Sequence, residues 1–144
     1  MSSIESRIAA LEAKDEIREL TARYCHAVVD GDVDTILSLF CHDGAFRMRK
    51  KGVKGHDELR EFYGAGVGAQ THKPFIQNNV VELEGEDRAT GRCSVEIRIV
   101  QDGEAYTCAG HYFDTFRKEQ GKWRFEERQF NAYHYVPLAK GWTK

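Results

Sequence analysis

The hydrophobic pattern of this chain changes period near residue 72, and that change limits the folds open to it. Before that point, apolar residues recur at three- and four-residue steps, which is typical of helices. After it, four runs rich in β-branched and aromatic residues are separated by tight-turn signals: Gly85-Glu86-Asp87, Asp102-Gly103 and Gln120-Gly121. Helices followed by hairpin-linked strands predict an α+β fold with a mostly antiparallel sheet.

The first part of the helical half predicts one long helix or a kinked pair of helices, followed by one short helix. An apolar stripe runs from Ile4 to about residue 29, and Ser2 and Glu5 have capping-box spacing at its start. The sequence Asp30-Gly31-Asp32 ends this helix and offers an N-cap for the next one, which is predicted over 33–40.

A turn, a hairpin and a third helix are predicted next. The turn is His42-Asp43-Gly44, and a half-buried strand through Phe46 and Met48 follows it, leading into a hairpin through Gly52. The third helix starts at His56. It is predicted to break in a flexible loop at three closely spaced glycines, Gly64, Gly66 and Gly68.

The four strands of the second half are predicted to be about ten to fifteen residues long. Strands of that length must twist and curl, so the sheet acquires a concave face. The preceding helices can cover this face and leave a pocket wherever packing does not close it. We therefore predict one domain over residues 1–144: a cone-shaped roll of curved sheet whose pocket has a mixed polar and apolar lining.

Charge and cysteine content narrow the function classes. The chain has 21 basic and 23 acidic residues among 144, so no strong field would attract nucleic acid or an anionic membrane. Its first residues lack the basic and apolar regions of a signal peptide, and a cytoplasmic location is expected. Four scattered cysteines, Cys25, Cys41, Cys93 and Cys108, are expected to be reduced core residues.

Two longer stretches resemble a known family. They are RYCHAVVDGDVDTILSLFCHDGAF in the helical half and GHYFDTFRKEQGKWRFEER in the last two strands. Together with the helices-then-strands order, they resemble the SnoaL-like domains of the nuclear transport factor 2-like superfamily, whose fold is cystatin-like. The resemblance covers most of the chain, and the tail sequence YVPLAKG extends it.

This resemblance implies a cofactor-free lyase or isomerase acting on a small hydrophobic cyclic molecule. Members of the family include scytalone dehydratase, bile-acid 7α-dehydratase and γ-hexachlorocyclohexane dehydrochlorinase. In the eliminating members, an Asp at the end of the first long helix and a His on the first strand of the meander form an acid/base pair. By position Asp30 matches that Asp and Arg128 matches an Arg near the final strand, while Tyr24 could donate a hydrogen bond.

The histidine of that pair has two candidates. The best local alignment places Pro74 at the family position and leaves His72 two residues upstream. A shift of two keeps the side chain on the same face of a strand but moves it by roughly 6–7 Å. His111 on the third strand of the meander is the substitute, because it too could reach the pocket.

No metal or cofactor is expected. The remaining histidines, His26, His42, His56 and His134, lack the i, i+4 partners that zinc sites need, and Gly-rich phosphate loops are absent from the sequence.

Two alternatives to catalysis stay open at this point. One is a ligand-binding or assembly domain of the same fold without chemistry, and the other is a relative of the small β subunits of ring-hydroxylating dioxygenases. A homo-oligomer, dimer or trimer, is expected in every case, because helices cannot cover both faces of the sheet.

Overall fold

A computed structural model describes residues 3–69 and 71–143. Within them the elements run, in chain order, α1 (Ile4–Asp30), α2 (Val33–Ser38), β1 (Phe40–Met48), β2 (Lys51–Lys54), α3 (His56–Ala69), β3 (Thr71–Leu83), β4 (Arg88–Gln101), β5 (Glu104–Glu119) and β6 (Lys122–Pro137). This is the α+β fold that the change of period predicts.

The strands form one sheet in the order β2-β1-β6-β5-β4-β3. Among the described strands, only the contact between β1 and β6 is parallel, and β3 to β6 form the predicted antiparallel meander. Two of its hairpins turn at Asp102-Gly103 and Gln120-Gly121. All four of these residues have φ between 52° and 78°, the left-handed geometry that suits two-residue hairpin loops.

The helix ends follow the expected chemistry. Ser3 is the N-cap of α1 and accepts a hydrogen bond from the Ser6 amide at 3.0 Å, while the predicted cap Ser2 lies outside the described residues. Gly31 adopts φ 68° after the last turn of α1. Asp32 caps α2 as predicted, since its Oδ1 accepts from the Thr35 amide at 3.1 Å.

The predicted turn at His42-Asp43-Gly44 is wrong, because these residues lie inside β1. The register of the pairing between β1 and β6 shifts between Phe40 and Ala45, and this irregularity accommodates the turn-favouring residues His42-Asp43-Gly44 within the strand. Gly44 is needed for packing, since a Cβ there would lie 3.0 Å from the carbonyl oxygen of Cys41. The next hairpin exists as predicted, but Gly52 lies within β2 and the turn lies at residues 49–50.

The predicted break of the third helix is also wrong, because α3 continues through its glycines to Ala69. Leu59 and Tyr63 lie one helical turn apart, and both are buried against the core. Each glycine costs a helix only about 1 kcal/mol relative to alanine. Packing of these large side chains therefore outweighs the local preference.

The core lies between the helices and the inner face of the sheet. α1 contributes the apolar side chains of Ile17, Leu20 and Val28, which pack against buried aromatic residues of β1, β5 and β6. The four cysteines are buried and free, as predicted. None of the helices in the described ranges is long and apolar enough to cross a membrane.

Candidate functional site

A cavity of about 210 Å³ lies inside the cone, between α1, α3 and the inner face of the sheet. An engineered protein cavity of roughly 150 Å³ holds benzene, so this one has room for a substituted single ring. Most of the wall is apolar. The lining residues are Tyr24, Val28, Phe46, Met48, Phe62, Tyr63, Gly66, His72, Pro74, Ile97, Ile99, Cys108, Tyr112, Phe130 and Tyr135.

Three buried tyrosines contribute to the lining. Tyr24 of α1, Tyr63 of α3 and Tyr112 of β5 are each less than 5% exposed. The hydroxyls of Tyr24 and Tyr63 lie 2.8 Å apart and share a hydrogen bond. Burial raises the pKa of Tyr24 to about 12, although the charge of Arg128 opposes the shift. Burial also raises the pKa of Tyr63, so both hydroxyls stay protonated at neutral pH and can act as hydrogen-bond donors.

A buried ion pair lies directly behind these tyrosines. Asp114 and Arg128 are neighbours across β5 and β6, with the Arg128 Nε 3.1 Å from the Asp114 Oδ1 but not aligned as a hydrogen bond. The guanidinium carbon lies 3.5 Å from the centre of the Tyr112 ring and 4.3 Å from that of Tyr24. The positive charge of Arg128 therefore faces the rings of two of the three buried tyrosines, Tyr24 and Tyr112.

Burial raises the pKa of Asp114 to about 7, against the opposing charge of Arg128. Both side chains are almost completely excluded from solvent. Arg128, predicted as a site residue, is therefore placed next to the cavity without being part of its lining.

His72 lies in the cavity wall, on β3 and opposite Ile99 of β4. Pro74, two residues further along the same strand, also lines the cavity. The two-residue shift inferred from the sequence thus keeps the imidazole on the inner face, as strand geometry requires. His72 is half-buried whereas the tyrosines are fully buried, which places it nearer the opening of the cavity.

Asp30 lies outside the cavity. It is the exposed last residue of α1, and Tyr24 and Val28 are the residues of that helix that line the cavity. Asp30 follows Val28 by two positions, which turns its side chain roughly 200° around the helix. The described structure therefore does not bring the Asp30 carboxylate into the cavity with His72.

His111 lies on the opposite face of the sheet. Its neighbours along β5, Gly110 and Tyr112, are buried on the inner side, and its Nδ1 lies 2.8 Å from the hydroxyl of Tyr133. Burial and the nearby charge of Arg92 lower the pKa of His111. Of the two histidine candidates, only His72 is among the residues that line the cavity.

Sequence reasoning missed Tyr63, Tyr112 and Asp114. Tyr63 could have been found, because it lies four residues after Leu59 on a predicted helix and continues its apolar stripe. Tyr112 and Asp114 share strand parity with Cys108, but parity alone does not say which face points inward. Only the assembled fold shows that Tyr63 and Tyr112 contact Tyr24 and that Asp114 pairs with Arg128.

A separate group of possible metal ligands lies on the surface. His42, Asp43 and Glu119 bring their ligand atoms within 4.8 Å of one another. However, the Nη2 of Arg117 donates to both carboxylates, and the Nδ1 of His42 lies 2.8 Å from Glu119. These carboxylates are therefore already engaged by side chains of the protein, and this group is best explained as an ion-pair network.

Comparison with known proteins assigns the chain to a family. Residues 9–129 match the SnoaL-like domain. Among curated proteins, none matches the sequence at a significant level.

Solved structures share the fold. One similar structure is the hexachlorocyclohexane dehydrochlorinase LinA-type3 from Novosphingobium barchaimii, at 16% identity over 96% of this chain and 98% of that chain, with a TM-score of 0.83. A variant of a Mycobacterium tuberculosis protein of unknown function is 26% identical over 85% of this chain and 77% of that chain, with a TM-score of 0.78. A cystatin-like protein of unknown function from Nostoc punctiforme is 28% identical over 87% and 94%, with a TM-score of 0.71. The match over residues 9–129 shows that this chain belongs to the SnoaL-like domain family.

Proposed function

We propose that this protein binds a small, mostly apolar ring compound bearing an oxygen substituent and catalyses a cofactor-independent elimination or isomerisation on it. The observation that supports this proposal most directly is the buried, hydrogen-bonded pair of Tyr24 and Tyr63 in the wall of a mostly apolar cavity that is also lined by His72. The dehydrochlorinase with the same fold eliminates HCl from hexachlorocyclohexane, as its name states, which supports the same reaction class here.

The tyrosine pair would hold the oxygen of the substrate. One of its two hydroxyl protons is used in the hydrogen bond between the rings, which leaves the other to donate to a bound carbonyl or hydroxyl oxygen. A fixed donor in an apolar, water-poor cavity stabilises negative charge that develops on such an oxygen. The positive charge of Arg128 against the ring faces acts in the same direction.

His72 would act as the acid/base group. A histidine titrates near neutral pH, so it can accept a proton from an activated carbon and return it. In an elimination, the imidazole takes the proton, the electrons of the broken C–H bond form the new double bond, and the leaving group departs with the electron pair of its broken bond to the neighbouring carbon. In an isomerisation, the imidazolium would return the proton to a different carbon.

A second candidate is a ligand-binding protein without catalysis. It is favoured by the position of the carboxylates, because the described cavity lining contains none: Asp30 is exposed and Asp114 lies behind the tyrosines, paired with Arg128. Turnover separates the two candidates. A panel of cyclic ketones, alcohols and chlorides, followed by NMR for binding and for product, gives new products under the first candidate and unchanged ligands under the second.

Replacing both tyrosines by phenylalanine, Tyr24→Phe with Tyr63→Phe, is expected to weaken binding of an oxygenated ring about 5- to 10-fold. The reason is the loss of about one hydrogen bond to the ligand. Removing both partners of the pair leaves neither hydroxyl unsatisfied, so folding should change little. The measurement is calorimetric titration with a cyclic ketone and with the hydrocarbon of the same ring.

The hydrocarbon should lose little affinity in the double variant. Tyr133→Phe on the opposite face of the sheet is the matched control and should bind both compounds as wild type does. Equal losses for ketone and hydrocarbon would show that the tyrosines shape the cavity without holding an oxygen.

A further inference from the structure

A second depression, called here the basic groove, adjoins the cavity at the hairpin of β1 and β2. It has a volume of about 330 Å³ and is lined by Phe46, Met48, Lys50, Lys51, Gly52, Val53 and Phe62. Three of these residues, Phe46, Met48 and Phe62, also line the cavity. The groove and the cavity therefore share one apolar wall, and the two lysines lie on the groove side of it.

The strand register places Lys51 on the inner face of the sheet. Lys51 of β2 is directly opposite Met48 of β1, and Val53 is directly opposite Phe46. Residues that are directly opposite in an antiparallel pair project to the same face, with their Cβ atoms roughly 4.5–5.5 Å apart. Lys51 therefore shares a face with Met48, and its flexible four-carbon stem carries the ammonium group alongside the wall of the cavity.

The shared wall ends at solvent on the side of the hairpin. Phe46 is buried, whereas Met48 and Phe62 are only half-buried. Methionine is unbranched and flexible, so its side chain adapts to a ligand more easily than a rigid one does. A substituent of a bound ring that leaves the cavity past Met48 meets the apolar floor of the groove first and the ammonium group of Lys51 next.

The two sides of the hairpin differ in how their positive charges are balanced. On the outer side, the Nε of Arg47 lies 2.8 Å from the Oε2 of Glu127, and Lys54 lines a depression that also contains Glu127. In the part of the chain that the structure describes, no carboxylate lines the basic groove, and neither Lys50 nor Lys51 forms an ion pair. Two unbalanced positive charges beside an apolar wall complement a molecule that is apolar at one end and anionic at the other.

We propose that the ring ligand carries an anionic side chain, and that the basic groove binds this chain with its charged end at Lys50 and Lys51. The inference rests on the proposed function, because the ring itself would occupy the cavity. It narrows the ligand class to amphipathic acids that consist of an apolar ring, a short spacer and a carboxylate or phosphate group. Lys51 would contribute more than Lys50, since its register places it beside Met48.

Calorimetric titration with matched charged and neutral ligands tests this proposal. The probes are cyclohexylpropanoate, cyclohexylbutanoate and cyclohexylpentanoate, each compared with its own amide. Wild type should bind at least one of the acids roughly 3- to 10-fold more tightly than its amide, which is the effect of one or two exposed ion pairs. The preference should shrink as salt is added, because exposed charges are screened.

A phosphate probe identifies the charged end. If cyclohexylbutyl phosphate binds more tightly than cyclohexylbutanoate, the groove is built for a phosphate, and the reverse order indicates a carboxylate. Both results support an anionic side chain.

Variants of the hairpin test whether the preference arises in the groove. Lys51→Gln should remove most of the preference for the acid and leave the affinity for the amide unchanged. Lys51→Glu should reverse the order, so that cyclohexylbutylamine binds more tightly than cyclohexylbutanoate. Lys54→Gln is the matched control, because it removes the same charge from the outer side of the same hairpin and should keep the preference. Both lysines are exposed, and far-UV circular dichroism checks that each variant folds.

Equal affinities of wild type for every acid and its amide would overturn the inference while leaving the ring-binding cavity intact. A preference that survives Lys51→Gln, or that falls equally in Lys54→Gln, would also overturn it, because the charge would then act from elsewhere. Failure of every probe, neutral and charged, to bind would count against the cavity itself, and the proposed function would fall together with this inference.

Discussion

Replacement of His72 by alanine should lower turnover by about 10²- to 10⁴-fold on any compound that the wild type converts, which is the usual contribution of a general acid/base group. Binding of the same compound should change much less, because the tyrosine pair and the apolar wall remain. The loss should therefore appear in kcat more than in KM. Steady-state kinetics on an active member of the ring-compound panel measures both.

Two matched variants define the role of His72. His26→Ala replaces an exposed histidine of α1 and should leave turnover unchanged. Asp30→Asn should change turnover by less than about twofold, because this exposed carboxylate lies outside the cavity. A loss in Asp30→Asn as large as that in His72→Ala would instead show that the two groups act together, as the family resemblance implies.

The sequence predicted the order of the elements and the hairpin turns because those features depend on local chemistry. Asp32 at an N-cap and Asp102-Gly103 in a two-residue turn are favoured by their own backbone preferences. The glycines of α3 give a wrong prediction for the opposite reason. Their local preference disfavours a helix, and the packing of Leu59 and Tyr63 that overrides it comes from distant parts of the chain.

The candidate site was less predictable from the sequence, since it depends on which face of each helix packs against which face of the sheet. The position of Asp30 outside the cavity could be predicted from helix spacing. Tyr24 and Val28 are four residues apart and share one side of α1, whereas Asp30 falls on another side. Strand parity kept His72 on the same face as Pro74 but did not identify that face as the inner one. The approach of Asp114 and Arg128 to the rings of Tyr24 and Tyr112 depends on contacts between β5, β6 and α1, which no local pattern specifies.

Replacement of Arg128 by methionine should destabilise the fold by about 3–5 kcal/mol at pH 8.5, because it leaves the Asp114 carboxylate buried without its partner. The loss should be smaller at pH 5.5. There the carboxyl binds a proton in both proteins, since burial raises its pKa to about 7 in the wild type and removal of the guanidinium raises it further. Urea unfolding at the two pH values gives both free energies.

The sign of this pH effect follows from linkage. The pKa of Asp114 is higher in the folded chain than the ordinary value of 3.8, so its contribution to stability is fully present below that value and is lost as pH rises through about 7. Without Arg128 the loss continues to higher pH, and the two stability curves separate above neutral pH. The further change Asp114→Asn should bring the Arg128→Met curve back toward the wild type at pH 8.5, while Arg23→Met at an exposed ion pair should cost less than about 1 kcal/mol. An equal loss for Arg128→Met at both pH values would mean that the guanidinium stabilises the fold by packing against the tyrosine rings, with no contribution from the charge of Asp114.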